Sequence, residues 1–362
     1  MRVNFYLADQ NPHRDRSRGI TQYTSGLLRE LRLRDGIEVS CLVSRSSYRP
    51  TGDGIETRVL PFRTDHVIGR LVADQFQPLL NGTKAHIWHF PKGFCSHVVR
   101  PRAPAVGTVH DTILDFYAER YPRSRSRAAF VYWRALLARS LARFDLVLTI
   151  SQFSKRSIEA FCERRGMLCP PITVTYEGGS WEELAGQVLP KSDCVVHLCS
   201  HQPHKRTNTM LRFWEILAQR RESLPLLRLI GNTTREQDRW IGRLSHVERL
   251  GPLSSEDLRC CIEMARAIII PSEVEGFGLP ALEAYYLGTP AVYVRDTAVE
   301  EVLGRSTPGG FDLESVESFR AALEAVLALD PGWIREKGVE LSARFSWNAC
   351  VDRTLAAYRK VT

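Results

Sequence analysis

Short, β-branched apolar runs recur along this 362-residue chain, at residues 3–8, 39–43, 87–90, 105–109, 146–150 and 172–176, with helical patterns between most of them. Runs this brief with no polar face are strands buried on both sides, which a parallel sheet covered by helices provides. After a polar, glycine-containing stretch from 178 to 193, the series restarts at 195–199, 226–230, 247–250, 267–270 and 291–294. The alternation predicts an α/β fold of two Rossmann-like domains, each long enough to bury its own core. The expected boundary lies near residue 185, giving domains of 1–185 and 186–345. A final amphipathic segment, 347–359, reads as a helix. In such sheets ligands collect at the carboxyl ends of the strands.

The most specific stretch is IIIPSEVEGFGLPALEAYYLGTP, residues 268–290. The strand stops at Pro271-Ser272, and Gly276 and Gly278 open a loop in which no side chain blocks a ligand from the backbone. Pro280 suits the first turn of a helix, Gly288 its C-terminal cap, and Pro290 prevents continuation. The first-turn amides of such a helix lack internal partners and carry the positive end of its dipole, so the turn favours an anionic group such as a phosphate. Glu283, one turn in, can accept both hydroxyls of a ribose, and Glu275 can accept hydroxyls of whatever lies beyond the phosphates.

Glu275, Gly276, Phe277, Gly278, Leu279, Pro280, Leu282, Glu283, Ala284, Gly288 and Pro290 stand in register with EGFGLPxLEAxxxGxPV. That pattern resembles the signature of the retaining nucleotide-sugar glycosyltransferases of family 4. The resemblance implies the GT-B fold, two Rossmann-like domains facing each other across a cleft, with the C-terminal helix, residues 346–362, crossing back to the first, acceptor-binding domain. It implies that Glu275 binds the transferred sugar, that the amides of Phe277, Gly278 and Leu279 face the sugar and diphosphate, and that Glu283 holds the ribose. Lys205, in SHQPHKRTN after the first strand of the second half, falls where the family places a lysine on the donor diphosphate. An ammonium there would stabilise the leaving group. The family's second cation is missing a few residues earlier, where Ser200 and His201 stand, and Arg206 follows the lysine instead.

Three first-half motifs carry the resemblance further. His110-Asp111 in TVHDTILD is similar to the family's VHD loop, whose histidine faces the reacting sugar, and both residues are expected on the acceptor side. Arg18-Gly19-Ile20-Thr21-Gln22-Tyr23 is similar to the GG-I-x-x-Y loop before the first helix, with Arg18 replacing one glycine. Gly19 can still let its backbone approach the diphosphate, and Arg18 can reach phosphate or acceptor. Ser151, in ISQFSK, reads as a helix cap and as an acceptor contact.

Charge and cysteine usage bound the remaining classes. The net charge of +8 conceals an asymmetry: residues 1–180 carry 27 Lys+Arg against 16 Asp+Glu, and residues 181–362 carry 22 against 25. Much of the first half's excess lies in Arg120, Arg123, Arg125, Arg127, Arg134, Arg139 and Arg143, around an apolar helical stretch. Such a helix can lie on an anionic membrane surface or show a solvated basic face over a core. The same field would serve a phosphorylated acceptor. The opening MRVNFYLADQ reads as a strand rather than a signal peptide, and no window has the apolar length to span a bilayer, so the expected location is the cytosol, including the inner face of the membrane. Nine cysteines with no C-x-x-C pair fit reduced thiols.

Together these features predict transfer of a hexose, with a lean toward mannose from GDP-mannose, to a hydroxyl acceptor: a glycan, a glycolipid or a small molecule. No cofactor is expected, because the nucleotide sugar is a substrate. No metal is expected either: His197, His201 and His204 cross from strand to loop without a cysteine or acidic ligand. Two other classes fit less well. A GT-B nucleotide-sugar isomerase or epimerase needs acid and base carboxylates at a spacing this chain lacks. A nucleic-acid-binding protein is invited by an isoelectric point of about 9.1, yet no known module and no aromatic platform in a basic groove accompanies it.

Overall fold

The computed structural model describes residues 1–11, 18–80, 84–220 and 223–362. They form two compact units, Met1–Gly178 with Ser346–Thr362, and Gly179–Phe345. The first contains β1 (Arg2–Tyr6), α1 (Arg18–Leu31), β2 (Glu38–Val43), β3 (Ile55–Val59), α2 (Val67–Leu80), β4 (Ile87–Phe90), β5 (Ala105–Thr108), α3 (Ile113–Arg120), α4 (Arg127–Leu141), β6 (Leu146–Thr149), α5 (Gln152–Glu163) and β7 (Ile172–Val174). Its sheet has the order β3-β2-β1-β4-β5-β6-β7 and every pairing is parallel. Strands added after β1 build outward on one side and those from β4 on the other, so the topological switch lies between β1 and β4.

The second unit runs β8 (Cys194–Cys199), α6 (Thr207–Gln219), β9 (Leu226–Gly231), α7 (Arg235–Ile241), β10 (Val247–Gly251), α8 (Ser255–Met264), β11 (Ala267–Ile270), α9 (Leu279–Tyr286), β12 (Ala291–Val294), α10 (Ala298–Leu303), β13 (Gly310–Phe311), α11 (Val316–Leu327) and α12 (Pro331–Arg344). It is again all parallel, in the order β10-β9-β8-β11-β12-β13, with the switch between β8 and β11. Strand β11 is buried along its length, as its β-branched sequence requires. Two strands escaped the periodicity. β3 reads IETRV because it is an exposed sheet edge, and β13 is only two residues long.

The units divide at Gly178/Gly179, seven residues before the expected boundary near 185. The reason is local. The Ser180 amide donates to Glu283 Oε1 at 2.8 Å, and a Cβ on Gly179 would lie 2.8 Å from the Tyr286 ring, so this stretch packs on α9.

The last helix, α13 (Trp347–Tyr358), belongs to the first unit. Ser346 caps it by accepting from the Ala349 amide, and Arg34, in the turn after α1, holds it through Asn348 Oδ1 (3.0 Å) and Asp352 (3.0 Å). Trp347 fills the space left by two glycines: a Cβ on Gly26 would sit 2.2 Å from its indole, and one on Gly178 2.5 Å from its amide nitrogen. Gly26→Ala therefore overpacks the α1–α13 seam. The expected loss is about 1–3 kcal/mol, read as a lower urea midpoint of the first unit, since ring and backbone leave no room to yield.

The basic stretch around α4 is a core helix with a wet side. Phe130, Leu137 and Leu141 are buried, and Arg134 binds the carboxylate of Asp115 at 2.6 Å. Asp115 is itself buried and also takes Arg164 and, at 3.3 Å, Arg165. Three guanidiniums on one buried carboxylate pin α3, α4 and α5 together, so Arg134 is committed to structure rather than to an external surface.

Candidate active site

In the second unit the chain leaves β11 through Pro271 and Ser272, and Glu275 comes to lie almost fully buried against Lys205, with Lys205 Nζ to Glu275 Oε1 2.6 Å. Burial pushes the Glu275 carboxyl up, but the Lys205 ammonium, His204 and a hydrogen bond from Ser272 outweigh it, and the group stays below the usual carboxylate range. Glu275 is thus a fixed anion at neutral pH. The loop bearing it is tied to the Lys205 loop a second time, where the Glu273 amide donates to the His204 carbonyl at 3.0 Å. Ser272 was not singled out in the sequence, because nothing local marks a serine that acts on a residue three positions on.

Helix α9 starts at Gly278 in the left-handed region (φ 96°), with no side chain capping it and Pro280 in its first turn. Gly278 is doubly required: its φ excludes most side chains, and a Cβ would lie 2.7 Å from Val299. An uncapped first turn, three residues after the Lys205-bound Glu275, is a polarised surface suited to an anion. Gly276, Leu279 and Pro280 remain partly exposed there, while Phe277 is buried with its ring edge-on to Phe345 at 5.6 Å. Phe277 therefore anchors the loop with its side chain. Glu283 is half-buried and spends Oε1 on the Ser180 amide, so the expected ribose ligand also fastens the 179–180 loop.

Arg206 departs from expectation. It sits at φ 50° as the residue before α6, with Nε 3.0 Å from Glu273 and an Nη 3.0 Å from Glu314. Two carboxylates hold it in place, so in this structure its guanidinium clamps the loop. His197 likewise has both ring nitrogens occupied, by the Ile269 carbonyl (3.0 Å) and the Thr207 hydroxyl (2.9 Å), which braces β8 against β11 and α6. No cluster of three metal-ligating side chains occurs among the described residues.

In the first unit His110 stands just beyond β5. Its Nε2 lies 2.9 Å from the Pro91 carbonyl, which fixes the tautomer with the proton on Nε2, and the Tyr23 ring meets it edge-on at 4.7 Å. Burial lowers its pKa to about 4, so the ring is neutral at physiological pH and Nδ1 is the acceptor. The His110 carbonyl takes the Ser154 hydroxyl at 2.7 Å. Behind it runs a buried polar chain: Tyr358 OH to His89 Nδ1 (2.6 Å), His89 Nε2 to Thr108 Oγ1 (2.7 Å), and Thr108 to Tyr23 OH (3.3 Å). His89, inside the strand IWHF, gave no sequence signal because its role depends on α13, which is remote in the chain.

The other expected first-unit residues are placed differently. Ser151 is fully buried and caps α5 by accepting from the Ser154 amide, which leaves its hydroxyl no surface to offer an acceptor. Asp111 Oδ1 accepts from the Ile113 amide at 2.9 Å, shaping the entry to α3. Gly19 lies inside the first turn of α1 rather than in a loop before it, exposed and with no atom within 4 Å of where a Cβ would point. The side chain of Arg18 lies outside the described residues.

The sequence matches the family model of glycosyl transferases group 1 over residues 183–348 and that of glycosyltransferase family 4 over residues 17–176. The chain belongs to glycosyltransferase family 4. This glycosyltransferase is 28% identical to the O-antigen chain mannosyltransferase B of Escherichia coli over 386 aligned residues, covering 94% of this chain and 96% of that protein. Its fold is that of the sucrose-phosphate synthase of Thermosynechococcus elongatus (TM-score 0.71, 16% identity, 99% of this chain and 98% of that one). The Anabaena HepE protein in complex with UDP and glucose is similar as well (TM-score 0.68, 17% identity, 99% and 100%). Two all-parallel α/β units with these neighbours make the glycosyltransferase a GT-B protein.

The Lys205–Glu275 pair should be visible in stability. Lys205→Met leaves a buried carboxylate without its cation, and the expected loss at neutral pH is about 3 kcal/mol. Because the folded pKa of Glu275 is depressed, the pair's contribution is complete above the unfolded carboxyl range and fades as pH falls through the folded value. Denaturant titrations of both proteins from about pH 7 to about pH 2 should therefore converge only below the unfolded carboxyl value of about 4.3. A deficit that does not change with pH would contradict this coupling.

Proposed function

We propose that the protein transfers a hexose from a nucleoside diphosphate donor to a hydroxyl acceptor with retention of anomeric configuration, and that the donor is GDP-mannose. The setting is assembly of a cell-surface polysaccharide or glycolipid. The observation that carries this reading is the Lys205–Glu275 pair set against the uncapped start of α9. Its support is a mannosyltransferase relative matching nearly the whole of both chains.

Each group has a chemical task. The Lys205 ammonium and the first-turn amides of α9 neutralise the diphosphate as the glycosidic bond breaks, which lowers the barrier without a metal. Glu275 accepts hydrogen bonds from hydroxyls of the transferred sugar and in doing so releases part of its hold on Lys205. Glu283 accepts the ribose hydroxyls. The neutral His110 accepts a hydrogen bond from a sugar hydroxyl through Nδ1. The attacking oxygen approaches from the face the diphosphate leaves, and a phosphate oxygen takes its proton. Water is the competing acceptor.

A thermal-shift panel of GDP, UDP, dTDP and ADP sugars checks this. GDP-mannose should raise the melting temperature most, by about 2.7 kcal/mol of added stability at about 100 times its dissociation constant. Glu283→Ala should remove most of that rise. A larger shift with a UDP sugar would reassign the donor, and turnover of donor without acceptor into an isomer would favour an epimerase.

We further propose that the protein meets an anionic membrane surface chiefly through α2 rather than through the basic helix itself. Ile68, Leu71, Val72, Phe76 and Leu79 recur at helical spacing and are exposed, Ile68 by 78% and Leu79 by 68%. Val131 and Tyr132 on α4 are exposed too, and Tyr132 is close enough to Arg70 of α2 to act on its charge. No helix among the described residues is long and apolar enough to cross a membrane. An apolar stripe flanked by arginines of a domain carrying excess positive charge complements an anionic leaflet. The protein should sediment with vesicles containing phosphatidylglycerol and not with phosphatidylcholine alone, and Ile68→Glu with Leu79→Glu should abolish binding. Retention by neutral vesicles alone, or no effect of the double variant, would count against it.

A further inference from the structure

The carboxyl end of β1 carries a second group of charges that neither the family motifs nor the donor chemistry uses. Asp9 follows β1 by three residues and is 8% exposed, and its Oδ1 is buried without a hydrogen-bond partner. Lys92, just beyond β4, donates from Nζ to the Asp9 carbonyl at 2.6 Å. Nearby, Asp74 accepts from Tyr6 OH at 2.6 Å and from Arg70 Nε at 3.4 Å. Burial raises the Asp9 pKa to about 6, with Lys92 opposing and Asp74 adding to the rise, so the group is ionised at neutral pH.

A buried carboxylate oxygen with no donor is costly, and water, an ion or a ligand commonly meets it. Its position is not arbitrary. β1 and β4 flank the switch point of the first sheet, where open α/β sheets receive ligands. His110 reaches the same place: its Nε2 meets the Pro91 carbonyl, and the adjacent Lys92 is the residue that contacts Asp9. The neighbouring Gln10 also has a buried side-chain oxygen without a donor, although its amide nitrogen binds Thr24 at 3.0 Å. Among the described residues, what Asp9 Oδ1 and Gln10 Oε1 lack is a donor.

The charge balance narrows the guest. Among the described residues two carboxylates, Asp9 and Asp74, face two cations, Arg70 and Lys92, so their charges balance and leave no surplus positive charge for a phosphate. An acceptor oxygen without a partner asks for hydroxyl hydrogens. We propose that Asp9 binds hydroxyl groups of a neutral acceptor sugar at the carboxyl ends of β1 and β4, so that the acceptor is the uncharged end of a glycan rather than a phosphorylated small molecule. This rests on the glycosyltransferase reading above and names the substrate class of its acceptor side.

The test is saturation-transfer NMR on the full chain and on Asp9→Asn, with methyl glycosides of mannose, glucose and galactose as neutral probes. Mannose 6-phosphate serves as the charged probe, and GDP and UDP titrations in the same samples report the nucleotide site. The wild type should bind at least one neutral glycoside more tightly than mannose 6-phosphate. Asp9→Asn should weaken that glycoside at least about tenfold, the scale of losing a hydrogen bond to a charged group. Nucleotide affinity should not change, and the melting temperature should stay equal or rise, because an unpaired buried charge has been removed. A merely structural Asp9 would give the opposite stability sign, and a lower melting temperature with unchanged glycoside binding overturns the proposal. So does a preference for mannose 6-phosphate, or nucleotide binding without any glycoside binding, which leaves the transferase reading intact. Loss of nucleotide binding in the wild type would instead bring down the donor assignment and this inference with it.

Discussion

A parallel sheet covered by helices on both faces has nowhere to put reactive groups except beyond the ends of its strands. Both units of this protein obey that constraint, and every residue assigned chemistry follows from it. Glu275 and the start of α9 stand after β11, Lys205 after β8, His110 after β5, and Asp9 and Lys92 after β1 and β4. The strands themselves are apolar and rigid, so the loops above them can hold charged groups at fixed spacing without disturbing the core.

Charge compensation then decides which of those groups remain available. Arg134 and Arg206 look alike in sequence to free phosphate ligands, yet each is bound by carboxylates, Asp115 for the first and Glu273 with Glu314 for the second. Lys205 is also paired, but with Glu275, the residue expected to grip the sugar.

The donor-side features were legible because they are local. A strand, two glycines, a proline and two glutamates within 23 residues define a loop–helix turn regardless of what surrounds it. His110 was legible through its flanking residues for the same reason. What escaped depended on contacts between distant segments: His89 needs Tyr358 from α13, Asp9 needs Lys92, and Ser180 needs Glu283. The helical pattern of residues 127–141 could not say which of its arginines face solvent, since that turns on Asp115 from the preceding helix. The exposed stripe of α2 was hidden for a related reason, as an apolar helix face reads identically whether a core or nothing covers it.

The return of α13 has a bearing on how the molecule is made. Because residues 346–362 complete the first unit and 179–345 form the second, the later-translated unit has its whole chain available before the earlier one does. Until Trp347 seats against Gly26 and Tyr358 reaches His89, the nascent first sheet carries an uncovered groove along α1. Biogenesis therefore runs against the usual amino-to-carboxyl order of domain maturation, and the histidine network is among the last parts to be assembled.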